Sequence, residues 1–208
     1  MDTANSHAHW ESVYAAKGET QVSWFQESPQ PSLQPIEAAG ATLDSAIIDV
    51  GGGASRLVDT LVARGYADVT VLDLSEAALN AAQDRLGDKR KRVHWLAADA
   101  TIWEPTRTYD IWHDRAAFHF LTDPNDRSAY FAGLRRGVGN NGHAIVGTFA
   151  LDGPEKCSGL PVARYDAVRL SHALGEGFVL IDSRTHEHKT PWDSTQRFQF
   201  STFRYTKS

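Results

Sequence analysis

The sequence predicts an α/β fold: a Rossmann-like, mostly parallel sheet of seven strands with the last strand antiparallel, helices on both faces and a helical cap at the amino terminus. Three observations carry this reading. From residue 46 onward, short apolar runs alternate with helical stretches, as in a chain of strand-helix-strand crossovers. The first of these runs passes directly into a glycine turn and an amphipathic stretch, "DVGGGASRLVDTLVARG". The last two runs are joined around Pro191 and Asp193 by a connection too short for a helical crossover, so they pair antiparallel.

Residues 1–45 read as a cap or lid of two helical pieces, roughly 6–17 and 32–40. These flank "GETQVSWFQESPQP", where Gly18, Pro29 and Pro31 interrupt regular structure and which carries Trp24 and Phe25. Strands are expected at 46–50, 69–74, 92–98, 109–114 and 142–150, each an apolar run bounded by turn residues, with helices between them. After the fifth strand come a loop, "LDGPEKCSGLP", a helix near 163–175, and the strand-like runs "GFVLIDSRTHEHK" and "TQRFQFSTFRY". At 208 residues the cap and the core of 46–208 fit a single domain.

Composition narrows the function classes. With 41% hydrophobic and 23% charged residues the chain lies far from the disordered regime. A formal net charge of -5 offers no positive field for a phosphate backbone, so nucleic acid is not expected as a partner, and "KRKR" at 89–92 reads as a solvated turn. One cysteine, Cys157, rules out an internal disulfide framework and fits a reducing, cytoplasmic setting. No run approaches the ~20 apolar residues that span a bilayer, and the amino terminus lacks an apolar signal core. A soluble protein without a membrane partner is expected.

The chemistry gathers at strand ends. In an open α/β sheet, ligands bind outside the carboxyl ends of the strands. Gly51 and Gly53 let a ligand approach the backbone after the first strand, and the following helix offers unpaired N–H groups. Asp73 closes the second strand 22 residues after Gly51, where a carboxylate accepts hydrogen bonds from ribose hydroxyls, and Ser75 caps the next helix. A dinucleotide fingerprint would need a glycine where Arg56 stands, which disfavours NAD. Asp49 precedes the glycines by two, and Asp99 in "LAADAT" ends the third strand within reach of an adenine amino group. The fourth strand leaves through "YDIWHDRAAFHFL", which points His113, Asp114 and Arg115 at the same crevice.

This set resembles the class I S-adenosylmethionine-dependent methyltransferases from Ile47 to the end of the chain. Asp49, Gly51 and Gly53 match the family's glycine turn, with Ser55 in place of its third glycine. The resemblance implies S-adenosylmethionine as cofactor and S-adenosylhomocysteine as product. It further implies that the glycine turn holds the methionine part, that Asp73 and Leu74 hold the ribose, and that Asp99 and Ala100 face adenine. His113 and Trp24 would complete the cofactor site. "WHDRAAF" resembles a stretch of the thiopurine and other thiol methyltransferases. "HWESVY" and "VSWFQESPQPSL" resemble their cofactor-covering segment, with Trp10, Tyr14 and Trp24 in matching places. The same features also resemble a branch of the protein-lysine methyltransferases.

Methyl transfer from a sulfonium is an in-line displacement whose leaving group becomes neutral, so it needs positioning rather than a metal. The acceptor must arrive with a free lone pair. On this reading Arg115 favours a thiolate, Asp114 or His119 removes a proton, and Phe25 and Cys157 wall the acceptor pocket. His186 and His188 share one strand face, as a metal pair would, but lack a third ligand and read as a rim. A small-molecule acceptor is expected, thiol or selenol ahead of amine. The alternatives are a protein-lysine N-methyltransferase and a non-catalytic module that binds the nucleoside cofactor.

Overall fold

The computed structural model describes residues 3–16 and 18–207. Six helices are α1 Thr3–Ala16, α2 Gln30–Ala38, α3 Leu57–Arg64, α4 Glu76–Leu86, α5 Pro124–Gly137 and α6 Ala167–Leu174. The strands are β1 Ala46–Val50, β2 Asp68–Asp73, β3 Val93–Ala97, β4 Tyr109–Arg115, β5 Val138–Phe149, β6 Lys156–Cys157, β7 Leu160–Pro161, β8 Phe178–Lys189 and β9 Thr195–Tyr205. Seven of them form one sheet in the order β3-β2-β1-β4-β5-β9-β8, and β6 and β7 form a separate two-residue ladder. Only β9 runs against the rest, antiparallel to both β5 and β8. The expected architecture is the observed one.

Strand alternation divides the core into two layers. Ile48, Trp112, Ala144 and Val146 pack on one side with Tyr130, Leu134 and Leu170 of α5 and α6. Ile47, Val71, Ile111 and Ile145 pack on the other with Leu33, Leu57, Leu61 and Leu79 of α2, α3 and α4. Every residue of β1 is buried, which is why it reads as the unbroken run "AIIDV" rather than an alternation. Local signals set the helix ends. Ser75 Oγ accepts from Ala78 N at 3.1 Å to start α4, and Gly65, at φ +93°, closes α3.

α6 begins at Ala167 rather than near 163, capped by the Asp166 side chain, which accepts from Arg169 N, and two further boundaries differ from expectation for physical reasons. β5 begins at Val138 rather than 142, because α5 feeds straight into it across a register shift between Tyr109 and Ile111. α2 begins at Gln30 rather than 32, since Pro31 is tolerated in the first turn, where its missing N–H has no partner to lose. Among the described residues no helix is long and apolar enough to cross a membrane.

Topology fixes where a site can form. β1 pairs with β2 on one side and with β4 on the other, so the strand order reverses there. The carboxyl ends of β1, β2 and β4 therefore open into one crevice, bordered by Val50, Asp73 and Arg115.

Candidate active site

The crevice is founded on the turn that leaves β1. Gly51 has φ +68°, its N–H donates to the Leu72 carbonyl at 2.7 Å, and a Cβ there would stand 2.3 Å from Ala117 Cβ. Asp49 supports the turn from beneath. It is 3% exposed, its Oδ1 lies 2.7 Å from His113 Nδ1, and its Oδ2 lies 2.6 Å from where a Cβ on residue 52 would stand. Arg85 of α4 braces the far side, donating to the carbonyls of Ala54 and Ser55 at 3.2 and 2.9 Å and pairing with Asp59. Glu19 of the cap pairs with both Arg85 and Arg56, which ties the amino-terminal segment to the turn.

Asp73 ends β2 with its Oδ1 accepting from Ser75 N at 2.8 Å. Burial pushes its carboxyl up to about 7, against the pull of the Ser75 N–H. Among the described residues no cation pairs with it. A buried acceptor without a counter-ion suits uncharged donors, and paired ribose hydroxyls are such donors. Asp99 Oδ1 accepts from Thr101 N and Thr101 Oγ1 at 2.8 and 2.7 Å, which fixes this carboxylate at the end of β3.

Above these strand ends lies a cavity of about 380 Å³. Asp99 and Ala100 line it beyond β3, Asp73 and Leu74 at the end of β2, Gly51 beyond β1, and Arg115, Cys157 and Leu160 on the side of β4. The cap covers it with aromatic rings. Trp10 meets Trp24 and Phe120 edge-on at 5.6 and 4.9 Å, and Trp24 Nε1 donates to Tyr14 Oη at 3.2 Å. Arg115 Nη2 donates to the Trp24 carbonyl at 3.0 Å, whereas its Nη1 is buried with no hydrogen-bond partner. Burial lowers the Arg115 pKa, and no carboxylate forms an ion pair with it among the described residues. Cys157 is 4% exposed, and burial pushes its thiol up to about 11.

The structure thus brings Gly51, Asp73, Leu74, Asp99, Ala100, Trp24, Arg115 and Cys157 to one cavity wall. Asp49 and Gly53 act behind it. Gly53 has φ +43°, and a Cβ there would stand 2.8 Å from Asp73 Oδ2.

Four residues lie elsewhere than expected. His113 does not face the cavity; it is 1% exposed and turned onto Asp49. Asp114 is 0% exposed and is consumed by structure: it accepts from Tyr130 Oη at 2.8 Å and from Ala117 N and Phe118 N at 3.1 Å. Burial, only partly offset by these donors, raises its carboxyl to about 6. His119 is also 0% exposed, its ring 4.5 Å from Phe120 and 4.9 Å from Phe149. Burial, and then Arg115, hold it down to about 3, so it stays neutral, with neither ring nitrogen hydrogen-bonded and the ring outside the cavity lining. Phe25 packs under the Arg56 guanidinium at 6.0 Å and borders a neighbouring hollow instead.

Other participants left no local mark in the sequence. Tyr130 lines the cavity from α5, and Glu19 and Arg85 meet across 66 residues. His186 and His188 turn toward the cap, each with a ring nitrogen 3.5 Å from Gln26 Nε2, while His188 Nε2 lies 2.7 Å from the Ser23 carbonyl.

Comparison with known proteins agrees with this geometry. Residues 47–142 match the family described as methyltransferase domain. The mouse eEF1A lysine and N-terminal methyltransferase is 25% identical over 126 residues, 57% of this chain and 17% of that protein. The zebrafish EEF1A lysine methyltransferase 2 is 24% identical over 153 residues, 66% of each chain. The ribosomal RNA small subunit methyltransferase A of Rhodopseudomonas palustris is 36% identical over 74 residues, 35% of this chain and 26% of that one. The chain therefore spans less than two thirds of the length of these curated relatives. Among solved structures, the Burkholderia thailandensis 1,6-didemethyltoxoflavin-N1-methyltransferase, with S-adenosylhomocysteine bound, superposes with a TM-score of 0.69 at 19% identity, covering 99% of this chain and 86% of that one. The strand order, the glycine turn with its supporting acid, the carboxylate closing β2 and the match over 47–142 agree: residues 47–142 match a methyltransferase domain, and the chain has the Rossmann-like methyltransferase fold.

Proposed function

We propose that this domain transfers the methyl group of S-adenosylmethionine to a small nucleophile, with a thiol or selenol ahead of an amine. The observation that carries the acceptor class is Arg115. A guanidinium buried in an aromatic cavity, with Nη1 unpartnered and the buried Asp49 carboxylate acting on it without a direct ion pair, favours a ligand that brings negative charge. A thiolate or selenolate is such a ligand, and also the stronger nucleophile.

The cofactor supplies an electrophilic methyl group and departs as a neutral thioether. This chain's residues do the rest. Asp73 receives the ribose hydroxyls, Leu74, Asp99 and Ala100 border the adenine, and the turn at Gly51 and Gly53 holds the methionine end from Asp49. Trp10, Trp24 and Phe120 exclude water, which strengthens the pull of Arg115 on an anionic acceptor. With Asp114 held by Tyr130, Ala117 and Phe118 and His119 buried outside the cavity lining, no side-chain base is assigned. The acceptor's own ionisation, favoured by Arg115, provides the lone pair. The net charge of -5 and the covered cavity favour a small molecule over nucleic acid.

Protein-lysine methylation is the second reading, since the mouse and zebrafish relatives carry that activity in their names. Purified protein incubated with S-adenosylmethionine and separate panels of thiols, selenols, amines and protein extracts decides between them. Release of S-adenosylhomocysteine with thiols or selenols supports the proposal. Release only with protein extracts supports the second reading, and release with none of them returns the chain to an inert cofactor-binding module.

A further inference from the structure

The histidine pair on β8 is not used by the methyl-transfer reading, yet it reaches the cap. His188 is 3% exposed, and its Nε2 lies 2.7 Å from the Ser23 carbonyl, a contact between residues 165 positions apart. The next carbonyl, that of Trp24, takes the bond from Arg115 Nη2 at 3.0 Å. Ser23 Oγ lies 3.9 Å from Cys157 Sγ, so the same residue that His188 holds also covers the one thiol of the chain. Two successive carbonyls are thus pinned from two strands, β8 and β4, and the Trp24 ring between them faces the cavity.

We propose that His188 is a positioning residue for a lid formed by residues 18–29, and that acid opens this lid. A carbonyl can only accept, so the closed arrangement needs His188 to donate from Nε2, which a neutral ring does with Nδ1 turned to the Gln26 amide at 3.5 Å. A second proton would place a charge in a buried site. Arg115 of β4 and His186 of the same strand both oppose that charge, and burial opposes it more, with only the Ser23 carbonyl favouring it. Glu27, Arg184, Glu187 and Lys189 border the hollow outside His188, and Cys157 lies across Ser23. None of the described carboxylates forms an ion pair with the ring.

The sign follows from linkage. His188 binds its proton more weakly when the lid is closed than when the ring is free in water, so closure is complete above the ordinary histidine range near 6.5. It is lost as pH falls through that range toward the lower value of the closed state. The consequence for catalysis rests on the methyltransferase reading, but the opening itself can be read in cofactor-free protein, because Cys157 is a built-in reporter.

The test is the rate at which an uncharged maleimide labels Cys157 in the wild type, His188→Ala and His188→Gln between pH 8 and 5.5, with far-ultraviolet circular dichroism confirming that each remains folded. His188→Ala is expected to label at least tenfold faster at pH 7.5. His188→Gln keeps an N–H donor that does not titrate, and is expected within about threefold of the wild type at pH 7.5. The wild-type to Gln rate ratio, in which the thiol's own ionisation cancels, should then climb as pH falls, approaching about tenfold per unit. A ratio that stays flat, an Ala variant at the wild-type rate, or a Gln variant as fast as Ala would overturn the proposal. Titration with S-adenosylhomocysteine is run separately: its failure to bind would sink the methyltransferase reading and leave the lid result standing.

Discussion

Gly51 and Ala117 meet where β1 and β4 deliver their chains to the crevice: a methyl group on residue 51 would stand 2.3 Å from Ala117 Cβ, on a backbone with φ +68°. Both the contact and the dihedral exclude a side chain. Gly51→Ala is therefore expected to cost about 1–3 kcal/mol of folding stability, from overpacking and a strained φ. It should also weaken S-adenosylhomocysteine binding by more than tenfold. Chemical denaturation and calorimetric titration check the two effects, and an unchanged dissociation constant would show that the turn does not floor the cofactor site.

Asp73 sets binding against stability. Its carboxyl ionises near 7 in the folded, cofactor-free protein and near 3.8 when unfolded. Folding is thus unpenalised below about pH 4 and increasingly penalised as pH rises to 7. Asp73→Asn removes that penalty and keeps an acceptor for Ser75 N. The variant should be more stable than wild type by on the order of 2–4 kcal/mol at pH 8, with the gain fading toward pH 4. It should bind the cofactor more weakly by about 1–3 kcal/mol. Urea midpoints across this pH range and cofactor titrations at pH 8 read both.

Asp114 and Tyr130 separate a structural carboxylate from a catalytic one. Asp114→Ala strands the Tyr130 hydroxyl and the N–H groups of Ala117 and Phe118, an expected loss of about 3–5 kcal/mol. Tyr130→Phe removes the donor to Asp114 and the acceptor of the Trp112 indole N–H, and should cost about 1–3 kcal/mol. Asp114→Asn keeps an acceptor for the two N–H groups, so it should retain most of the turnover. A fall of more than a hundredfold in kcat with stability unchanged would restore Asp114 as a base.

Arg115 makes the acceptor prediction specific. Arg115→Ala should lower kcat/KM for a thiol at least tenfold and move the alkaline rise of the rate profile to higher pH, because the thiol must then ionise without a cation beside it. An uncharged amine acceptor should be affected much less. Equal losses for both would point to the Trp24 carbonyl bond alone as the role of Arg115.

Sequence and structure agree best where a function is local. "DVGGG" and Asp73 declare themselves because a turn, a strand end and a cap follow one another within a few residues. Asp114 and His119 could not be read that way. Their fate was decided by Tyr130 and by the rings of Phe120 and Phe149, which only the packed fold brings together. Strand alternation would have placed His113 and Asp114 on opposite faces, and so warned that the polar triplet could not all look into one crevice. The partners of Glu19, Arg85 and His188 were invisible for a different reason: each contact spans a distance in sequence that no spacing rule covers.

The Ser23–His188 contact also sets an order of assembly. A ribosome delivers the cap, the glycine turn and β1 to β5 well before the hairpin of β8 and β9. Until that hairpin docks beside β5, the nascent pocket has a floor and walls but nothing to fasten its roof, leaving Cys157 and the ring of Trp24 open to whatever chaperone or oxidant the growing chain meets. Maturation of the site is thereby postponed until β8 and β9 have been made.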